Sequence, residues 1–157
     1  MSGRKPLKAF LDANTIISGL LFEGNEATLL ELGRVGAVRL LTNNYVLAEA
    51  RSVLRKPEFS LTDEEKEGLT RYLHMCVTVA EDPPEEEILS NLSLLRDKKD
   101  IPVALGARSS CSDYLVTGDK ELLEAAGIPS IKTSDLIQLI VSNQQSKASA
   151  NYTSKEE

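Results

Sequence analysis

The stretch YLVTGDKELL, residues 114–123, sets the reading of the whole chain. Tyr114, Leu115 and Val116 form a short apolar run of the kind that a fully buried strand shows. Thr117, Gly118 and Asp119 interrupt it, and a helical pattern begins at Lys120. A carboxylate at that junction caps a helix, because its oxygen accepts from the first unpaired backbone amides. The same arrangement stands near the other end of the chain. In KAFLDANTII, residues 8–17, the apolar Ala9, Phe10 and Leu11 lead into Asp12. One such cap is ordinary. Two acids at the ends of two strands share one edge of the molecule if those strands are parallel.

Working outward, short apolar runs alternate with longer helical patterns, which points to βα units and a mainly parallel sheet. Five strands are predicted, at Lys8 to Leu11, Val38 to Leu41, Val77 to Val79, Tyr114 to Val116 and Ser130 to Lys132. Helices are predicted near Glu26 to Gly33, Tyr45 to Arg55, Asp63 to Leu73, Glu85 to Leu95, Ile101 to Ser109, Lys120 to Ala125 and Ser134 to Val141. The fold expected is α/β, a three-layer α/β/α sandwich around a mainly parallel five-stranded sheet. In such sheets ligands gather outside the carboxyl ends of the strands, where Asp12 and Asp119 fall. Residues 1–141 read as a single domain. Residues 142–157, SNQQSKASANYTSKEE, are polar and read as a disordered tail.

With 157 residues the chain can bury a substantial core without disulfides or a structural metal. Cys76 and Cys111 lack metal-site spacing and read as reduced, buried thiols. No apolar stretch approaches the roughly 20 residues needed to span a bilayer, and the basic start lacks a signal peptide's apolar segment, so no membrane role and a cytoplasmic location are expected. The net charge of −6 is unevenly spread. Four acids lie within 63–67, five within 81–87 and two at the end. Outside those segments thirteen acids face sixteen Lys and Arg, so the total does not exclude a nucleic acid partner.

Two further carboxylates belong with the first pair. In NNYVLAEARSVL, residues 43–54, the apolar residues trace one helix face, and Glu49 lies about 40° from Val53 on a 3.6-residue wheel, at the border of the buried stripe. In RDKKDIPVALGAR, Asp100 opens a helix that carries Pro102 in its first turn, with Asp97 three residues earlier. Crowded carboxylates repel one another and take up protons unless something compensates them. A hard divalent cation does so, and Mg²⁺ or Mn²⁺ favours oxygen ligands and bridges phosphate to protein. Asp12, Glu49, Asp100 and Asp119 therefore suit one or two such ions and the hydrolysis of a phosphodiester, with Glu49 or Asp119 as acceptor of a water proton. Arg51, Lys98, Lys99, Arg108 and Lys120 flank these acids in sequence and are candidates for holding a substrate backbone. The single histidine, His74, has no partner that would make it a zinc ligand.

In order along residues 7–140, FLDANTIISGLL, AEARSVL, KDIPVALGAR and DYLVTGDKELL resemble the four acidic motifs of the PIN-domain nucleases, in particular the branch of toxins from toxin–antitoxin pairs. The resemblance implies an α/β/α fold, dependence on Mg²⁺ or Mn²⁺, and ribonuclease activity on single-stranded RNA. Asp12, Glu49, Asp100 and Asp119 would take the acidic roles, with Asn14 and Thr117 supporting them. It also implies an antitoxin protein and a homodimer as possible partners. Ala13 departs from the Thr frequent at its position, and SSCSDYLVT replaces a richer Gly and Ala approach to the fourth strand.

Two other readings stand beside this one. LDANT approaches the DxDxT pattern of haloacid-dehalogenase-type phosphatases, with Asp12 as nucleophile, although Asn14 occupies the place of the general acid. A non-catalytic scaffold binding RNA or protein would keep the fold without the chemistry.

Overall fold

The computed structural model describes residues 6–125, 127 and 129–156. Five strands, β1 (Lys8–Leu11), β2 (Arg39–Thr42), β3 (Val77–Val79), β4 (Tyr114–Val116) and β5 (Ser130–Ile131), form one sheet in the order β3-β2-β1-β4-β5. Every pairing is parallel, with Phe10 in register with Leu41 on one side and Leu115 on the other. The expected three-layer sandwich is the one observed, and the sheet is parallel throughout.

Among the described residues seven helices connect the strands, α1 (Ala13–Leu21), α2 (Asn25–Arg34), α3 (Asn44–Leu54), α4 (Asp63–Cys76), α5 (Glu85–Ser90), α6 (Ile101–Ser109) and α7 (Lys120–Ala125), and α8 (Thr133–Glu156) follows β5. Single 3₁₀ turns lie at Pro57–Phe59 and Lys98–Asp100. Side chains alternate across a strand, so adjacent residues look into opposite layers. Leu40 looks toward α2, where its Cδ1 lies 2.5 Å from the position a Cβ would take on Gly33. Phe10 looks the other way, toward α6, where a Cβ on Gly106 would meet its Cζ at 2.9 Å. Because Phe10 pairs with Leu41, the neighbour of Leu40, α2 and α6 cover opposite faces. The core between these layers includes Phe10, Leu11, Ile16, Leu29, Leu30, Leu40, Ile101, Leu105, Leu115, Leu136 and Ile140, all essentially inaccessible.

The helical patterns read from the sequence omit α1. Its ANTIISGLL contains the β-branched run Thr15, Ile16, Ile17 and then Gly19, all weak helix formers. Packing overrides that preference: a Cβ on Gly19 would stand 2.6 Å from Leu30 Cδ1 and 2.9 Å from the Glu26 carbonyl, so glycine allows α1 and α2 to touch backbone to side chain. Helix α5 stops at Ser90 rather than near Leu95, because Ser90 and Asn91 turn their side chains onto the carbonyls of Glu86 and Glu87 and compete with the helical ladder. At the far end, α8 continues to Glu156 through the segment expected to be a disordered tail. That segment contains neither Gly nor Pro, so nothing in its backbone chemistry stops the helix that Leu136 and Ile140 anchor in the core. Both cysteines are free, and Cys76 is buried as expected. Cys111 is exposed, in a left-handed residue at φ 56° in the turn from α6 to β4. Among the described residues no helix is long and apolar enough to cross a membrane.

Candidate functional site at the carboxyl edge of the sheet

From β1 the chain proceeds outward through β2 to β3, then returns to the other side of β1 to lay down β4 and β5. The reversal leaves a crevice between the carboxyl ends of β1 and β4, where ligands bind in open parallel sheets. Asp12 follows β1 directly and is 6% exposed. Its Oδ1 accepts from the Thr15 amide at 2.9 Å and caps α1, while its Oδ2 accepts from the Thr117 hydroxyl at 2.5 Å. Thr117, at the end of β4, also accepts from the Asp119 amide at 3.0 Å. One buried hydroxyl thus fixes both strand ends to each other across the crevice.

Asp119 is exposed, and its Oδ1 accepts from the Glu121 amide at 2.9 Å at the start of α7. The capping role read from the sequence is present. Its Oδ2 makes no hydrogen bond among the described residues and remains available.

Asp100 ends the 3₁₀ turn and occupies the N-cap position of α6, yet its side chain makes no cap hydrogen bond. Helix capping therefore does not account for its carboxylate. Its carboxyl is pushed up from the ordinary 3.8 to about 6, first by burial and then by the negative charges of Asp97, Asp119, Glu49 and Asp12, in that order. Asp12, Glu49 and Asp119 thus each lie within electrostatic reach of Asp100. Asp97 caps the 3₁₀ turn, accepting from the Lys99 amide at 3.0 Å.

Glu49 is exposed on the second turn of α3. The placement of that helix depends on Asn43, which the sequence reading passed over. Asn43 is fully buried; its Oδ1 accepts from the Val46 amide at 3.1 Å and its Nδ2 donates to the Pro102 carbonyl at 3.1 Å. It ties the start of α3, which carries Glu49, to the start of α6, which follows Asp100. An Asn immediately before an amphipathic run signals a cap in the sequence. Its second bond, 59 residues away, has no local signal.

The five basic candidates separate. Lys98 and Lys99 line a groove that also contains Glu49, and Lys98 Nζ donates to the Leu92 carbonyl. Lys120 is exposed beside Asp119. Arg51 lies two residues beyond Glu49, about 200° around the helix, and lines a different cleft with Lys66 and Thr70 of α4. Arg108 sits near the far end of α6, about 10 Å along the axis from Ile101, against Gly127. Neither arginine flanks the acids. Asn14 is exposed on α1, and its side chain makes no hydrogen bond among the described residues.

The four acids at this edge offer carboxylate oxygens, the ligands that hard divalent cations favour. The ion pairs seen among the described residues, Arg34 with Glu31, Lys66 with Asp63 and Arg71 with Glu67, involve none of them. Among the described residues no three His, Cys, Asp or Glu side chains are drawn tightly enough to form a ready cage. A divalent cation that keeps several waters needs only one or two carboxylates directly.

Comparison with known proteins agrees with the fold. No curated protein matches the sequence significantly. The fold is similar to that of PAE2754 from Pyrobaculum aerophilum (TM-score 0.63, 20% identity, covering 89% of this chain and 99% of that one). It is also similar to VapBC2 from Rickettsia felis, bound to a DNA fragment from their promoter (0.62, 15%, 80% and 98%), and to FitAcB from Neisseria gonorrhoeae (0.54, 18%, 80% and 98%). The sequence profile of the PIN domain matches residues 8–121, from the first residue of β1 to just beyond Asp119. That span covers most of the chain and contains all four acids, and it displaces the phosphatase reading of LDANT; the chain belongs to the PIN domain family.

Proposed function

We propose that this PIN-domain nuclease is a metal-dependent endoribonuclease that hydrolyses phosphodiester bonds of single-stranded RNA. The observation that carries the reading is the raised carboxyl of Asp100: burial together with four surrounding carboxylates makes a concentration of negative charge at the switch point, and none of the ion pairs seen among the described residues involves these acids. Mg²⁺ or Mn²⁺ held by Asp12, Glu49, Asp100 and Asp119 would relieve it. When bound, such a cation supplies Lewis acidity toward a phosphate and toward an attacking water.

The chain's own groups do the rest. Asp12, fixed through both oxygens, sets the position of the ring, and Thr117 holds it there. Glu49 and Asp119 are exposed carboxylates, and Asp119 Oδ2 is uncommitted, so these two are the candidates to accept the water's proton. Asn14, two residues beyond Asp12 at the start of α1, is exposed and is a candidate to meet a substrate oxygen. Lys98, Lys99 and Lys120 are the candidates to hold the RNA backbone. The same proposal includes a cytoplasmic toxin that pairs as a homodimer and is held in check by an antitoxin protein; it rests on the resemblance of the four motifs to the toxin branch of the family.

Labelled single-stranded RNA incubated with the protein and Mn²⁺ should be cut internally, and chelator should stop the reaction. Asp119→Asn and Glu49→Gln, both at exposed positions, should fold and lose about 100-fold or more in rate. Cleavage that survives chelation, or that both variants retain, contradicts the proposal.

A further inference from the structure

One face of α3 lies largely outside the core, with Val53 at its border packed against core residues. Tyr45, Ala48, Glu49, Ser52 and Val53 recur at three- and four-residue spacing and form one wall of a groove of about 850 Å³. Lys56 continues that wall beyond the helix. Glu85, Ile88 and Leu89 of α5 form the opposite wall, and Lys98, Lys99 and Pro102 lie at the end near Asp100. The walls are held together: Asp82, just before α5, accepts from both the backbone amide and the side-chain amide of Asn44, at 2.9 and 3.1 Å, in the first turn of α3. The groove is a standing feature of the fold.

Its chemistry is mixed in a particular way. The surface is mainly apolar, with Leu89 59% and Tyr45 43% exposed, while three lysines, Lys56, Lys98 and Lys99, face a single Glu85 once Glu49 is assigned to the acidic ring. An exposed aromatic ring beside cations, in a channel that begins at a proposed catalytic acid, is the combination that holds unpaired nucleotides: bases stack on the ring and phosphates meet the lysines. A duplex keeps its bases stacked on each other and offers none to Tyr45.

We infer that this groove is the track for the single strand adjoining the scissile phosphate, with Tyr45 stacking a base and Lys56 and Lys99 holding phosphates. The inference rests on the ribonuclease reading above and adds to it the residues that select a single strand. Tyr45 is a positioning residue; it touches substrate away from the reacting bond.

The test measures binding apart from cutting. Fluorescence anisotropy of a labelled single-stranded RNA octamer, with the full chain in chelator, gives affinity without turnover, and steady-state cleavage with Mn²⁺ gives KM and kcat. Tyr45→Ala should weaken binding roughly 5- to 150-fold and Tyr45→Phe should restore it. The loss should appear in KM with kcat little changed, because stacking holds ground state and transition state alike. Lys56→Gln and Lys99→Gln should each lower the slope of log affinity against log salt by about 0.7. If the wild type binds and cuts RNA while all three positions prove neutral, the groove assignment fails and the ribonuclease reading stands. Neutrality toward RNA combined with loss of a copurifying protein in Tyr45→Ala would make the groove a protein-docking surface and also overturn the assignment. A wild type that neither binds nor cuts RNA removes both.

Discussion

Asp100 shows most directly how a single side chain can be stable in the fold and still be placed for something other than stability. Its carboxylate makes no cap hydrogen bond, is partly buried and is surrounded by other acids. In metal-free protein, NMR titration of this carboxyl should give a midpoint near 6, and Asp119→Asn should lower it by removing one of the repelling charges. The folded chain then holds this proton more tightly than the unfolded chain does. The contribution to stability is therefore complete below about 3.8 and is lost as pH rises through about 6. Melting of the metal-free protein across pH 4 to 6.5 should show this trend, and the trend should shrink in Asp100→Asn. Asp12 behaves differently, since both its oxygens accept hydrogen bonds that hold secondary structure, and its replacement mixes structural and chemical effects. At this scale the four acids stand out in the sequence because each breaks a local pattern: Asp12 and Asp119 end apolar runs, Glu49 borders an apolar stripe and Asp100 precedes an N-terminal proline. Arg51 and Arg108 were misplaced because closeness along a helix is not closeness around it or along its axis.

The junction of α3 with α6 is the element on which the candidate site depends. Asn43 satisfies one helix start with its oxygen and the Pro102 carbonyl of the other helix with its nitrogen, in a fully buried position. Gly106 makes room for it: a Cβ there would lie 2.5 Å from Asn43 Nδ2. Asn43→Ala removes a cap worth about 1 kcal/mol and leaves a buried carbonyl without its donor, at a further cost of about 1 to 2 kcal/mol. Denaturant unfolding should register a loss of about 2 to 3 kcal/mol, and RNA cleavage should fall although no acid has changed. Element boundaries were readable wherever periodicity and capping agreed, as for β1, β3, β4, α6 and α7, whose limits match the expected ones. They were not readable for α1, whose β-branched run and glycine are tolerated only because α2 packs against it, nor for α5, which Ser90 and Asn91 end early. Such tertiary compensation leaves no mark on local composition.

In the molecule as a whole, strand order brings the site together. Asp12 and Thr117 are 105 residues apart in sequence, and they meet because β4 returns to lie beside β1. The parallel sheet and its acidic carboxyl edge were legible from the alternation of apolar runs and helical patterns, whereas the long reach of α8 was not, because polar sequence without Gly or Pro permits helix without requiring it. Residues 1–141 contain every proposed ligand and every core residue seen among the described residues, so a chain ending at Val141 should melt within about 2 °C of the full one and cleave RNA at the same rate. The central claim is that the acids crowd together to share a cation, and thermal melting with and without Mn²⁺ tests it most directly in the wild type and in Glu49→Gln, Asp100→Asn and Asp119→Asn. At about a hundred times its Kd, Mn²⁺ should raise the wild-type midpoint by about 5 to 10 °C. Each neutralised variant should melt higher than the wild type in chelator and respond less to the ion. A wild-type midpoint that Mn²⁺ leaves unmoved, or three variants that keep the full wild-type response, would contradict the account.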